Sequence, residues 1–252
     1  MWIDAHAHLY DLDEQELAAI AARAREAGVD HILNTGTSID TSKKALRQCS
    51  EHALLSAVAG ISPFDADTLP DDWQTSLESM LSDPAVIAVG ETGIDSTNPS
   101  YPGITSQIRL FEEQLHIAIN HTLPVVIHSR GSETKACEMC RASGVKKAMF
   151  HCFTGDVTAL GKILDSGYFV SFSGIITFKS SPLVECVRYA PLSRMFIETD
   201  SPYLAPVPHR GKTNEPAWVG LVGKKVAEIK KINAVDVAEA LRENFIALFG
   251  LK

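Results

Sequence analysis

The sequence predicts an α/β fold in which eight parallel strands close into a single (β/α)8 barrel of the TIM type, with residues 1–252 forming one domain. Three observations predict it. Short apolar, β-branched runs alternate with helix-patterned stretches along the whole chain, the pattern of a parallel sheet joined by crossover helices. Residues taken at the ends of eight such runs (His6, Gly36, Ser62, Glu91, His128, His151, Ser173 and Asp200) are 22 to 37 residues apart, one βα unit per interval. The first run continues as His6-Ala7-His8-Leu9, without the glycine fingerprint that an open dinucleotide-binding sheet requires there.

In order, the predicted strands are Trp2–His6, His31–Thr35, Leu54–Ile61, Val86–Gly90, Pro124–His128, Ala148–His151, Tyr168–Phe172 and Met195–Glu198. Each ends near a polar residue, a glycine or a histidine. Of the helices between them, Asp13–Ala27 carries Leu17, Ile20, Ala21 and Ala24 at helical spacing and stops at Gly28. Ser106–Asn120 sets Ile108, Phe111, Leu115 and Ile119 on one face. Cys137-Glu138-Met139-Cys140 imitates a zinc or redox pair, but no second pair exists and the stretch is helical, so buried or idle thiols are expected. Gly211-Lys212-Thr213 resembles the end of a P-loop, yet the first glycine of that loop would fall at Pro206, which excludes it.

Composition narrows the function classes. With 45% hydrophobic and 21% charged residues the chain has enough apolar surface for a full core. A net charge of −8 leaves no saturating positive surface, so any polyanionic substrate must be held locally. No apolar run reaches the roughly 18 residues of a membrane span, and Met1-Trp2-Ile3-Asp4 has no basic leader. Five cysteines, an odd number in a chain too large to need staples, favour reduced thiols. A cytoplasmic location is expected.

The chemistry gathers at the strand ends. His6 and His8 are two apart, so on a strand both face the same side and can reach one ion. Alone that spacing is common, and a lone histidine or loop acid has an ordinary structural explanation. Glu91, His128, His151 and Asp200, however, end the fourth, fifth, sixth and eighth runs, on the face where barrel enzymes place their chemistry. Four imidazoles and two carboxylates exceed one tetrahedral site, so the expectation is two divalent ions sharing a bridging carboxylate.

Several segments then carry a resemblance: Ile3-Asp4-Ala5-His6-Ala7-His8-Leu9, Val89-Gly90-Glu91-Thr92-Gly93-Ile94-Asp95, Val126-Ile127-His128-Ser129-Arg130, His151-Cys152-Phe153-Thr154-Gly155, Ser171–Lys179 and Ile197–Pro216. Together they are similar to the TatD-type metal-dependent deoxyribonucleases of the amidohydrolase-like barrels. The resemblance implies a TIM barrel, two divalent metals and hydrolysis of phosphodiester bonds, with DNA as substrate and His6, His8, Glu91, His128, His151 and Asp200 in the ligand positions. Two departures stand out. Where that family reads Gly-x-His-Pro-His, this chain has Gly60-Ile61-Ser62-Pro63-Phe64, and Ser96 follows Asp95 where an aromatic residue is usual.

The roles expected from this pattern are specific. Glu91 bridges the two ions, and Asp200 both ligates one of them and accepts a proton from the attacking water. Arg130 neutralises a phosphate, or forms a surface ion pair. Ser62 and Phe64 border the substrate. Arg210 and Lys212 either contact a phosphate chain or pin the Pro202–Pro208 loop through Glu215, with pinning favoured. Imidazole-rich sites accept zinc, manganese, iron or nickel, with magnesium a weaker fit. No obligate protein partner is evident. Two other classes compete: a hydrolase of small amides, lactones or phosphoesters on the same barrel, and a non-catalytic metal-binding protein, which would be expected to have lost ligands.

Overall fold

The computed structural model describes residues 1–250; residues 251 and 252 of the expected domain lie outside the described residues. Strands and helices alternate as β1 (Trp2–Ala7), α1 (Glu14–Glu26), β2 (Val29–Thr35), α2 (Ile39–Glu51), β3 (Leu55–Ala59), α3 (Trp73–Leu81), β4 (Val86–Asp95) and α4 (Ile104–Asn120). They continue as β5 (Val125–Arg130), α5 (Glu133–Ser143), β6 (Ala148–Phe150), α6 (Val157–Asp165), β7 (Phe169–Phe172), α7 (Val184–Tyr189), β8 (Met195–Ile197), α8 (Val219–Lys230) and α9 (Ala234–Phe249). The sheet order is β1 to β8 in sequence, every neighbouring pair parallel. Past the end of β8 the chain closes the ring: Asp200 N donates to His6 O at 3.0 Å and His8 N to Ser201 O at 2.7 Å. The fold is the TIM barrel that the strand rhythm predicts.

Local chemistry sets the element ends. Asp13 caps α1 by accepting from Glu16 N at 2.9 Å, and Glu16 reaches back to Asp13 N, a capping box. The helix stops at Ala27 and Gly28, whose φ of +80° is easy only for glycine. The barrel interior is a separate apolar cluster of Ile3, Ala5, Leu33, Val58, Ala88, Val126, Met149, Phe169 and Phe196. From α9, Phe245, Leu248 and Phe249 plug its lower end. A larger cluster fills the shell between strands and helices. Among the described residues no helix is long and apolar enough to cross a membrane.

The fourth strand is longer than the sequence predicts. Gly90 reads as a terminator but lies inside the strand at φ +153°, where an added Cβ would meet Val126 O at 2.5 Å. Pairing with β5 shifts register between Val89 and Thr92 and then resumes from Thr92 to Asp95. Such a bulge re-aims the side chain it contains, here Glu91. A second shift, between Asp4 and Ala7 of β1, does the same for His6. Ile3 and Ala5 line the interior, so strict alternation would have turned His6 away from it.

Candidate metal centre

Period-two alternation explains how the other strands deliver their side chains. Val126 and Met149 are interior residues, so His128 and His151, each two positions on, face the same side one layer higher. Phe196 in β8 and Glu198 just past its end form the same series, and Asp200 follows two residues later on left-handed backbone. All six side chains singled out in the sequence, His6, His8, Glu91, His128, His151 and Asp200, meet at the upper mouth of the barrel. All but His8 are buried, and His8 is half-buried.

Glu91 lies at the centre. Its Oε1 is 2.6 Å from His128 Nδ1 and 3.2 Å from His151 Nε2. Its Oε2 is 3.4 Å from His6 Nε2 and 3.5 Å from His8 Nε2. Asp200 Oδ1 completes the second group, 3.4 Å from His8 Nε2 and 3.8 Å from His6 Nε2. The two groups therefore share one carboxylate, with one oxygen turned to each.

The donors fit a divalent cation in both spacing and chemistry. Among His6 Nε2, His8 Nε2, Glu91 Oε2 and Asp200 Oδ1, the five distances that join the two imidazoles to each other and to the two carboxylates are 3.2 to 3.8 Å. Four donors placed tetrahedrally at about 2.0–2.1 Å from an ion are about 3.3–3.4 Å apart. Glu91 Oε1, His128 Nδ1 and His151 Nε2 form a triangle with edges of 2.6 to 3.2 Å. Three of the imidazoles also engage an acceptor through the opposite ring nitrogen, the arrangement that fixes a ligand histidine's tautomer and orientation. These contacts are His8 Nδ1 to Thr35 O at 2.8 Å, His128 Nε2 to Asp95 Oδ2 at 3.0 Å and His151 Nδ1 to Glu198 Oε1 at 3.3 Å. Among the described residues, His6 Nδ1 and Glu198 Oε2 are buried polar atoms without a protein partner.

Electrostatics keep the carboxylates ionised. Burial raises the pKa of Glu91, but the charge of His151 and hydrogen bonds from His128, His151 and His6 outweigh it and hold the carboxylate well below its ordinary value. Burial likewise opposes ionisation of Asp200, and the His8 hydrogen bond with the charges of His151 and His6 brings it below the usual range. His151, against the pull of burial, is raised to about 10 by Glu91 and Glu198. Asp200, at φ +58°, and Cys152, at φ +42°, are non-glycine residues with left-handed backbone beside the cluster, where local strain tends to collect.

The outer residues divide. Ser62 is buried three residues past the end of β3, its Oγ without a partner among the described residues. Phe64 is half-buried, its ring edge-to-face with His128 at 5.1 Å between centroids. Arg130 is half-buried on the face shared by Val126 and His128; its guanidinium donates to Ser129 O at 2.8 Å and, among the described residues, forms no ion pair, which removes the surface-pair alternative. The expected pin between Arg210 or Lys212 and Glu215 is not formed. Glu215 is taken by Arg23, whose Nε donates to it at 2.8 Å, because α1 packs beside the turn that follows Glu215. Arg210 instead lies over the Phe178 ring, 3.6 Å from its centroid, and has none of the six clustered side chains among its partners.

Sequence reasoning left Asp95, Glu198 and Asp4 without roles. Asp95 holds His128 and is itself held by Thr97, whose N and Oγ1 donate to Oδ1 at 2.9 and 2.6 Å. Asp4, fully buried, accepts from Thr199 N and Oγ1 at 2.8 and 2.5 Å and so ties β1 to the segment carrying Asp200. A signal existed for the first two. Asp95 is four residues beyond Glu91 and Glu198 two before Asp200, spacings that keep each pair on one face of a strand.

A family model described as TatD related DNase matches residues 3–250. The chain is 34% identical to the protein of Escherichia coli K12 named "Uncharacterized metal-dependent hydrolase YcfH", over 99% of this chain and 96% of that one. It is 31% identical to a Cronobacter turicensis protein named "3'-5' ssDNA/RNA exonuclease TatD", over 95% and 93% of the two chains. Among solved structures, the Escherichia coli TatD homologue YjjV superposes with a TM-score of 0.93 at 27% identity, covering 100% of this chain and 98% of that one. With the family model spanning nearly the whole barrel, and relatives matched along almost their full lengths, this chain belongs to the TatD-related DNase family of metal-dependent hydrolases.

Proposed function

We propose that the protein is a deoxyribonuclease, most active on a free DNA end, that hydrolyses phosphodiester bonds at a pair of divalent ions. The observation that carries this reading is the shared carboxylate: one Glu91 oxygen faces His128 and His151, the other His6 and His8, and Asp200 stands beside the second group. All six side chains would hold the ions, Glu91 offering one oxygen to each group. Two cations held there would supply Lewis acidity toward a phosphoryl oxygen and a water of lowered pKa.

The remaining work belongs to the chain. Asp200, ionised at neutral pH, accepts the proton of the attacking water, as a carboxylate beside the nucleophile can. Arg130, always charged and without an ion pair among the described residues, receives a non-bridging phosphate oxygen and offsets charge that develops there. Glu198 and Asp95 keep the rings of His151 and His128 turned to the centre. The acidic chain, at −8, grips DNA only at this mouth. Five unpaired thiols suit a cytosolic setting.

The Cronobacter relative's name supports a single-stranded nucleic acid as substrate. The test is a panel of single-stranded oligonucleotide, aryl phosphodiester, phosphomonoester, amide and lactone, run on metal-stripped and metal-reloaded enzyme. Metal-dependent shortening of the oligonucleotide is expected. No shortening, beside clear turnover of an amide, lactone or small phosphoester, overturns the nuclease reading in favour of a small-substrate hydrolase.

A further inference from the structure

The loops that follow two neighbouring strands, β3 and β4, meet in space. Phe64, from the turn after β3, and Tyr101, from the loop between β4 and α4, bring their rings to 4.4 Å between centroids at an interplanar angle of 47°. Both residues are half-buried, and neither ring belongs to the apolar clusters of the barrel or its shell. The Phe64 ring also stands against His128 at 78°. Two large aromatic rings thus stay partly in water beside the hydrolytic centre without contributing to the core. Two residues before Phe64, Ser62 keeps a buried hydroxyl without a partner among the described residues. This wall offers a substrate flat apolar surface and no charge.

We propose that Phe64 and Tyr101 form a stacking wall for the nucleobase flanking the scissile phosphodiester on the His128 side, and so decide which substrates are held long enough to be cut. The inference rests on the nuclease reading and deepens it. A base laid on an aromatic face is recognised without hydrogen-bond readout, so the wall accepts all four bases and discriminates against a sugar that lacks one. It also demands an unpaired base, because a base inside a duplex is already stacked on its neighbours.

The experiment measures kcat and KM for short single-stranded oligonucleotides that are intact, abasic at the terminal nucleotide, or abasic at the next one. In the wild-type enzyme one of the two abasic substrates loses on the order of 10- to 100-fold in kcat/KM, the factor that one stacked base supplies. Phe64→Leu keeps apolar volume against His128 but removes the π face. It and Tyr101→Ala should shrink that same penalty to a few-fold, chiefly through KM for the intact substrate, while Phe64→Trp restores it. Wild-type cleavage that ignores the missing base on both sides overturns the wall, as does an undiminished penalty in Phe64→Leu and Tyr101→Ala, and either result leaves the nuclease reading standing. Failure to cut any oligonucleotide overturns the nuclease reading and the wall with it.

Discussion

Replacing Asp95 by asparagine should damage the metal centre through a proton. Thr97 N and Oγ1 both donate to Asp95 Oδ1, so that position must remain an oxygen after the change. In Asp95→Asn the amide NH2 therefore takes the place of Oδ2, 3.0 Å from His128 Nε2. An NH2 there can only donate. His128 must then accept at Nε2 and carry its own proton on Nδ1, the nitrogen 2.6 Å from Glu91 Oε1 and 3.2 Å from His151 Nε2. A protonated nitrogen has no lone pair for an ion. Loss of an outer hydrogen bond to a ligand typically costs 10- to 100-fold in metal affinity, and a reversed tautomer belongs at the upper end, about 2.7 kcal/mol. Chelator-competition titration of stripped enzyme should show one affinity weakened by about that factor, while circular dichroism and thermal unfolding of the stripped protein change little. Wild-type affinity in Asp95→Asn would refute the tautomer argument.

Other outcomes follow from the same geometry. Asp200→Asn should abolish turnover with the fold intact, measured as single-turnover cleavage at saturating metal; near wild-type rates would remove Asp200 as the base. His31, buried in β2, is lowered to about 4, so it stays neutral in the fold while the unfolded chain protonates near 6.5. Its contribution to stability is complete above pH 6.5 and is lost as pH falls toward 4, by about 3 kcal/mol. Chemical denaturation from pH 7 to 4 should give a shallower decline in His31→Gln than in the wild type. Phe245→Ala, which unplugs the lower barrel, should cost about 3–5 kcal/mol by thermal or chemical unfolding without changing metal affinity.

Most of the barrel was legible because strands buried on both faces must be written as continuous apolar runs, and crossover helices as one-sided ones. The six clustered side chains were legible because each lies at or just past the end of a run, and parallel strands in a closed ring all end at one mouth. What escaped were features that pair pattern with three-dimensional register. Gly90 reads locally as a stop, yet it makes room for a bulge and lets the strand run on to Asp95, because Val126 O approaches too closely for a Cβ. Glu215 carries no mark of its partner Arg23, 192 positions away. Phe64 and Tyr101 could each be noted in the sequence, but their meeting depends on two loops from neighbouring strands folding toward His128.

The central claim is that one carboxylate joins two ions. Counting metal in wild-type protein and in Glu91→Gln, after reloading and gel filtration, tests it most directly. The account predicts two ions per chain in the wild type, with anomalous scattering in crystals placing one on each side of Glu91, and weakened retention of both in Glu91→Gln. A single ion in the wild type, or two ions held as firmly in Glu91→Gln, would contradict it.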